Sequence, residues 1–207
     1  MVTSRWTAAP AQAASLRRRG VVLERAILEA ALEQLSTVGW AGLTMEGVAA
    51  GAQTGKAAVY RRWPSKEDLV ADALQAGLPR FEQAPDTGSV REDLLALCRA
   101  ARDAMFSRPG SAVRAVIHEC DSLQAERFHA VIFDGIVEPM IKLVREVITR
   151  GIERNEVRAD AASSYVFDAI PAIMMYRNKM HGSEWDDPDL EAMIDQLMIP
   201  LLRPHVG

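Results

Sequence analysis

The stretch "TGKAAVYRRWPSKEDL", Thr54–Leu69, gathers Lys56, Arg61, Arg62 and Lys66 within eleven positions, interleaves them with Tyr60 and Trp63, and breaks at Pro64. Such a run is either a solvated cationic face or a surface built to meet a polyanion. At about 100° per residue, Val59 and Trp63 fall together on one side of a helix, while Ala57 and Arg61 fall on the other. The spacing therefore predicts a helix from about Gly55 to Trp63 that buries Val59 and Trp63 and turns Ala57 and Arg61 outward. Pro64 ends it, and Ser65 with Asp68 three residues later reads as a capping box opening a further helix through about Leu78. Small Ala57 and Ala58 would let a backbone approach base edges and thymine methyls, and Arg61 is long enough for guanine or phosphate. Lys56, Tyr60 and Lys66 suit phosphate oxygens, the last beside the free amides of a helix start.

Working toward the N-terminus, Leu23, Ile27, Ala30, Ala31, Leu35 and Val38 recur at helical spacing and Gly39 supplies a stop. Thr44 can cap a short helix carrying Met45, Val48, Ala49 and Ala52, with Glu46 near its positive end. Two short helices joined by a tight turn, the second one basic, are the parts of a helix-turn-helix. The turn itself reads Gln53, Thr54, Gly55. Gly55 is a weaker N-cap than serine, by roughly a few tenths of a kcal/mol.

Residues 21–78 resemble the DNA-binding domain of the TetR family of bacterial transcriptional repressors. The resemblance is carried by Thr44, Val48, Ala49, Ala52, Tyr60, Trp63, Pro64, Ser65, Lys66 and Leu69, in ungapped register. It departs in the turn, where the family usually has glycine, an apolar residue, then serine or threonine; Gln53 must then take a left-handed backbone where glycine would be cheaper, or the turn is reshaped. The resemblance implies that Thr44, Tyr60 and Lys66 hold phosphates and that base readers come from the span Thr54, Gly55, Lys56, Ala57, Ala58 to Arg61. It also implies a helical ligand pocket followed by two helices that pair with their copies in a second subunit.

The rest of the chain agrees in kind. "GLPRFEQAPDTGS", rich in Pro, Gly and Asp, reads as a break, and long helices are expected at about 89–107, 111–120, 123–153 with a kink at Pro139, 160–181 and 188–202. No alternating strand pattern survives, so the fold class is all-α, with an N-terminal three-helix helix-turn-helix domain and a larger C-terminal helical domain for ligand binding and dimerisation. The expected division is a flexible basic arm at 1–20, a DNA-binding domain at 21–66 and the larger domain at 67–207, with a linking helix near 65–78. Val166, Ala169, Ile170 and Ile173 form one apolar stripe, and Leu190, Met193, Ile194, Leu197, Met198 and Leu201 another; intrachain packing and a dimer interface both explain them. Met105, Phe106, Ile117, His118, Phe128, Phe133, Met140, Phe167, Met174 and Tyr176 are candidates for a pocket that suits an apolar or aromatic effector, although for any one of them core packing is the stronger reading.

Composition sharpens the division. Residues 1–70 hold nine Lys and Arg against six Asp and Glu, net +3, and the remainder holds 15 against 22, net -7. A basic segment joined to an acidic one points to a polyanion partner for the first alone. Cys98 and Cys120 lack the spacing of a zinc module or disulfide framework, and "HECD", His118–Asp121, offers too few ligands for a metal site. No catalytic constellation or phosphate loop occurs, no apolar run approaches the roughly 20 residues of a membrane helix, and no cofactor is implied. The expectation is a cytoplasmic, dimeric regulator that leaves a palindromic DNA operator when a small molecule binds. The alternatives are a regulator without ligand or acting as activator and, more remotely, an all-α enzyme or protein-binding module.

Overall fold

The computed structural model describes residues 20–119, 128–182 and 184–203, so the expected N-terminal arm, along with Cys120 and Asp121 of the HECD run, lies outside the described residues. α1 (Val21–Gly42) sinks Leu23, Ile27, Ala31 and Leu35 and breaks where the sequence placed its stop: Gly39 has φ 71° and ψ -176°. This break turns buried Trp40 under the end of the helix. Thr44 then caps α2 (Met45–Gly51), its hydroxyl accepting from the Gly47 amide at 3.1 Å. α3 (Lys56–Tyr60) is shorter than its spacing suggested, because the chain passes through a turn at Arg61 and Arg62 before Pro64, whose ring pushes the residue ahead of it toward extended backbone. α4 (Lys66–Gly77) opens on the expected capping box: the Ser65 hydroxyl accepts from the Asp68 amide at 3.1 Å and donates to its carboxylate at 2.6 Å.

Beyond the Pro- and Gly-rich segment, α5 (Val90–Phe106) is pinned to the linker through Asp93. This fully buried carboxylate accepts from the Thr87 amide at 2.7 Å and hydroxyl at 2.8 Å, and Arg154 lies 3.5 Å away. α6 (Arg108–Glu119) follows at once. Where the sequence predicted a kink, a π-helical turn at Phe133–Val137 leads into α7 (Glu138–Glu153), in which Pro139 is among the first residues. A widened turn ahead of proline accommodates both its missing N–H and its ring. After a 3₁₀ turn at Ala159–Ala161 comes α8 (Ser164–His181), capped by Ser163 and closed by left-handed Gly182 at φ 62°. α9 (Asp187–Met193) runs through a second π turn, Ile194–Met198, into α10 (Ile199–Leu202), where Pro200 repeats the arrangement at Pro139.

Apolar side chains collect into two cores. The first joins α1 to α4 with Ala112, Val113 and Val116 of α6 and with Phe128 and Ile132. The second joins α5, α7, α8 and α9 around Val144, Ile170, Trp185 and Leu190. A boundary at residue 66 is thus crossed by packing: α4 and α6 both lie against α1.

Candidate nucleic-acid interface

α3 is held from beneath. Val59 is fully buried and Trp63 nearly so, and the Trp63 indole N–H donates to Asp72 of α4 at 2.8 Å. With that side fixed, Gly55, Lys56, Ala57, Tyr60 and Arg61 are exposed and Thr54 and Ala58 half-buried. Gln53 takes φ 55°, the left-handed backbone that is one of the two alternatives for this turn. This geometry aims one short helix into solvent with Ala57 and Arg61 on the outer side, while Ala58 packs partly against the first core.

The cations on this face differ in their partners. Lys56 pairs with Glu46 of α2 and lies 5.3 Å from the Tyr60 ring centre. The pairing raises the lysine above its usual value, and Lys56 in turn lowers the Glu46 carboxyl below the ordinary carboxylate range. A phosphate must compete with Glu46 for that ammonium. Arg61 makes no ion pair with an acidic side chain among the described residues, so its guanidinium is available outright. Thr44 is exposed at the start of α2, where its amide donates to the Gln34 side chain at 3.2 Å. Lys66, expected on phosphate, is half-buried and turned inward: its ammonium donates to the Trp40 carbonyl and sits 4.2 Å above the Trp40 ring centre.

Two contacts that sequence spacing missed tie this head to the other helices. The Glu119 carboxylate at the end of α6 accepts from the Ala41 amide at 3.1 Å and occupies the space where any side chain at residue 39 would begin. Trp40 meets Phe128 edge to face at 5.2 Å. Glu119 and Ala41 are 78 positions apart, beyond the reach of any local pattern.

The seam between the cores holds a cavity of about 90 Å³ walled by α5, α6, α7, α8 and the linker. It adjoins an outer cavity of about 470 Å³, with which it shares Ile117, Ile132, Val137, Pro171 and Met175. Of the pocket candidates, Met105, Ile117, Met140 and Met174 line the inner space, and Ile117, Phe128 and Phe133 the outer. Four others do not line it. Phe106 stacks on Arg114 at 4.5 Å, His118 faces solvent, Phe167 packs in the second core beneath Arg145, and Tyr176 is 59 % exposed on the outer side of α8. Arg114 and Asn178, which the sequence did not single out, are the polar members of the inner wall.

The two apolar stripes also divide. Val166, Ile170, Leu190, Met193, Ile194 and Met198 are buried in the second core, since helices of the same chain cover them. Ala169, Ile173, Leu197 and Leu201 retain exposure, and on α8 they continue a stripe of Tyr165, Tyr176 and Met180.

A capped short helix, a left-handed turn and a second short helix offered to solvent, on a body that is all-helical among the described residues, define a transcriptional regulator of the helix-turn-helix class. Residues 27–73 match the family model "Bacterial regulatory proteins, tetR family", and residues 84–197 match "Tetracyclin repressor-like, C-terminal domain". The chain belongs to the TetR family. It is 30 % identical to an uncharacterized HTH-type transcriptional regulator of Mycobacterium tuberculosis over 89 % of this chain and 90 % of that protein. It is 28 % identical to the DNA-binding transcriptional repressor TetR of Mycobacteroides abscessus, over 90 % and 97 % of the two chains. The fold is shared with NalD, the secondary repressor of the MexAB-OprM multidrug efflux pump in Pseudomonas aeruginosa, at a TM-score of 0.64 and 18 % identity, covering 89 % of this chain and 98 % of NalD.

Proposed function

We propose that the protein is a homodimeric repressor that occupies a palindromic operator and leaves it when a small molecule fills the seam cavity. Arg61 reads a base, Ala57 and Ala58 sit against the groove floor with Thr54 and Gly55 at the helix start, and Lys56, Thr44 and Tyr60 contact phosphate. One five-residue helix spans too few base pairs for a useful site, whereas a two-fold pair reads successive major grooves roughly 34–36 Å apart. Tyr165, Ala169, Ile173, Tyr176 and Met180 of α8, joined by Leu197 and Leu201, carry the dimer contact.

The observation that carries the reading is the position of α6. Its residues Gly110, Val113, Arg114 and Ile117 wall the inner cavity, its residues Ala112, Val113 and Val116 belong to the core of the reading head, and Glu119 at its end holds the Ala41 amide. A molecule wedged between α5, α6 and α8 acts on a helix packed into the head, and Phe128, Trp40 and Lys66 give a second line of contact to the start of α4. Such a ligand releases DNA only by binding the non-operator arrangement more tightly.

The test is selection of bound fragments from a random duplex pool at low salt. A palindrome with half-sites one turn apart is expected, with log affinity falling against log salt by about 0.9 per phosphate contact. Recovery of no duplex, or of asymmetric sites bound by a monomer, rejects the reading.

A further inference from the structure

Arg114 is the cationic member of an inner wall that is apolar apart from it and Asn178, and its setting is fixed by the junction of α5 and α6. Gly110 lets α6 approach the last carbonyls of α5 so closely that a side chain there would strike the Met105 and Ala104 oxygens. Arg114, one turn further on, donates one Nη to that Met105 carbonyl and the other to the Ser111 hydroxyl at 3.0 Å, while its plane lies over Phe106. A guanidinium has five N–H donors, and these contacts leave some of them without an acceptor among the described residues. No carboxylate is in ion-pair contact with it among those residues; Glu184 acts on it only at a distance, and burial lowers its pKa. The chain beyond residue 70 is strongly acidic, yet the charged side chains lining the two adjoining cavities are Arg114, Lys179 and Asp168, a positive balance.

We propose that the effector is an amphipathic organic acid whose carboxylate is held by Arg114 in the inner cavity and whose apolar body extends past Ile117 and Met175 into the outer one. This rests on the reading of the seam cavity as the effector site. A half-buried guanidinium with no carboxylate in ion-pair contact is the group for which a carboxylate guest, bound through two parallel charge-assisted hydrogen bonds, offers the largest differential over an uncharged guest of equal shape.

The test uses the full chain, a neutral apolar dye (N-phenyl-1-naphthylamine) as reporter of the cavity, and two matched pairs of probes: octanoate with octanamide, and phenylacetate with phenylacetamide. Expected is dye binding to the wild type, and displacement by at least one acid at concentrations roughly ten- to a hundredfold lower than by its amide. Arg114→Met should erase the acid–amide difference and Arg114→Lys keep part of it, with dye binding reporting that each variant retains its cavity. The wild-type acid–amide comparison stands even if a variant does not fold. Dye displaced equally by acid and amide, or by neither acid, overturns the arginine anchor while leaving the cavity as an effector site; absence of dye binding removes both. Operator binding, measured separately, is untouched by any of these outcomes.

Discussion

Gln53 holds a backbone angle that glutamine adopts reluctantly. A left-handed L-residue costs about 1–2 kcal/mol, part of which glycine returns through its larger unfolded-state entropy. Gln53→Gly is therefore expected to raise stability by about 0.5–1 kcal/mol in thermal or denaturant melts. Arg61 and Lys66, both cations of the opening stretch, should part company. Arg61→Ala is expected to relax preference at one operator position by roughly 1–3 kcal/mol in a binding series over single-base variants. Lys66→Met should instead lower the melting temperature as well as weaken binding to every sequence, because it unseats Trp40 from beneath the head. Equal, purely uniform binding losses from the two would place both on phosphate.

At the scale of elements, the two faces of α3 were legible because a helical wheel needs nothing but local spacing, and the caps at Thr44 and Ser65 were legible because each side chain bonds an amide three residues on. The helix ends were legible only in part: α3 stops at Tyr60 and α8 starts at Ser164, each shorter than its spacing suggested. The facing of α8 was not legible. Tyr165, Ala169, Ile173, Tyr176 and Met180 form one stripe, Val166, Ile170 and Met174 another beside it, and only the neighbouring helices decide which is inside. Nor could spacing reveal Arg114 or Glu119, whose roles come from a helix junction and a contact across the seam. The distinction yields opposite outcomes: Ile170→Asp should unfold the protein, whereas Tyr176→Glu should leave its melt nearly unchanged and shift sedimentation from dimer toward monomer. A dimer that survives Tyr176→Glu and Ile173→Asp together would require a different interface. Ser65→Ala is expected to cost about 1 kcal/mol in a denaturant melt by removing the α4 cap.

Across the whole molecule, ion pairs fasten the acidic body. Arg91 holds Asp195, Arg99 and Arg102 hold Asp187, and Arg154 holds Glu156, whose carboxylate also accepts from the Val90 amide at 2.9 Å. Hydrogen bonds from these arginines depress Asp195 and Asp187 below 3.8, and the Val90 amide does most to depress Glu156 below 4.5. A depressed carboxyl contributes stability that is present above its unfolded value and lost as pH falls through the folded one. The melting temperature should therefore hold from neutrality to about pH 4.5 and fall below it, with Asp187→Asn flattening part of that slope in a pH series of melts.

The sharing of α6 between the reading head and the pocket bears on protein engineering. Grafting residues 20–88 onto another regulator would strip the first core of Ala112, Val113, Val116, Phe128 and Ile132, leaving a sticky fragment instead of a portable module. Chimeras that change operator choice should carry α6 with the head, or replace only the outward positions of α3.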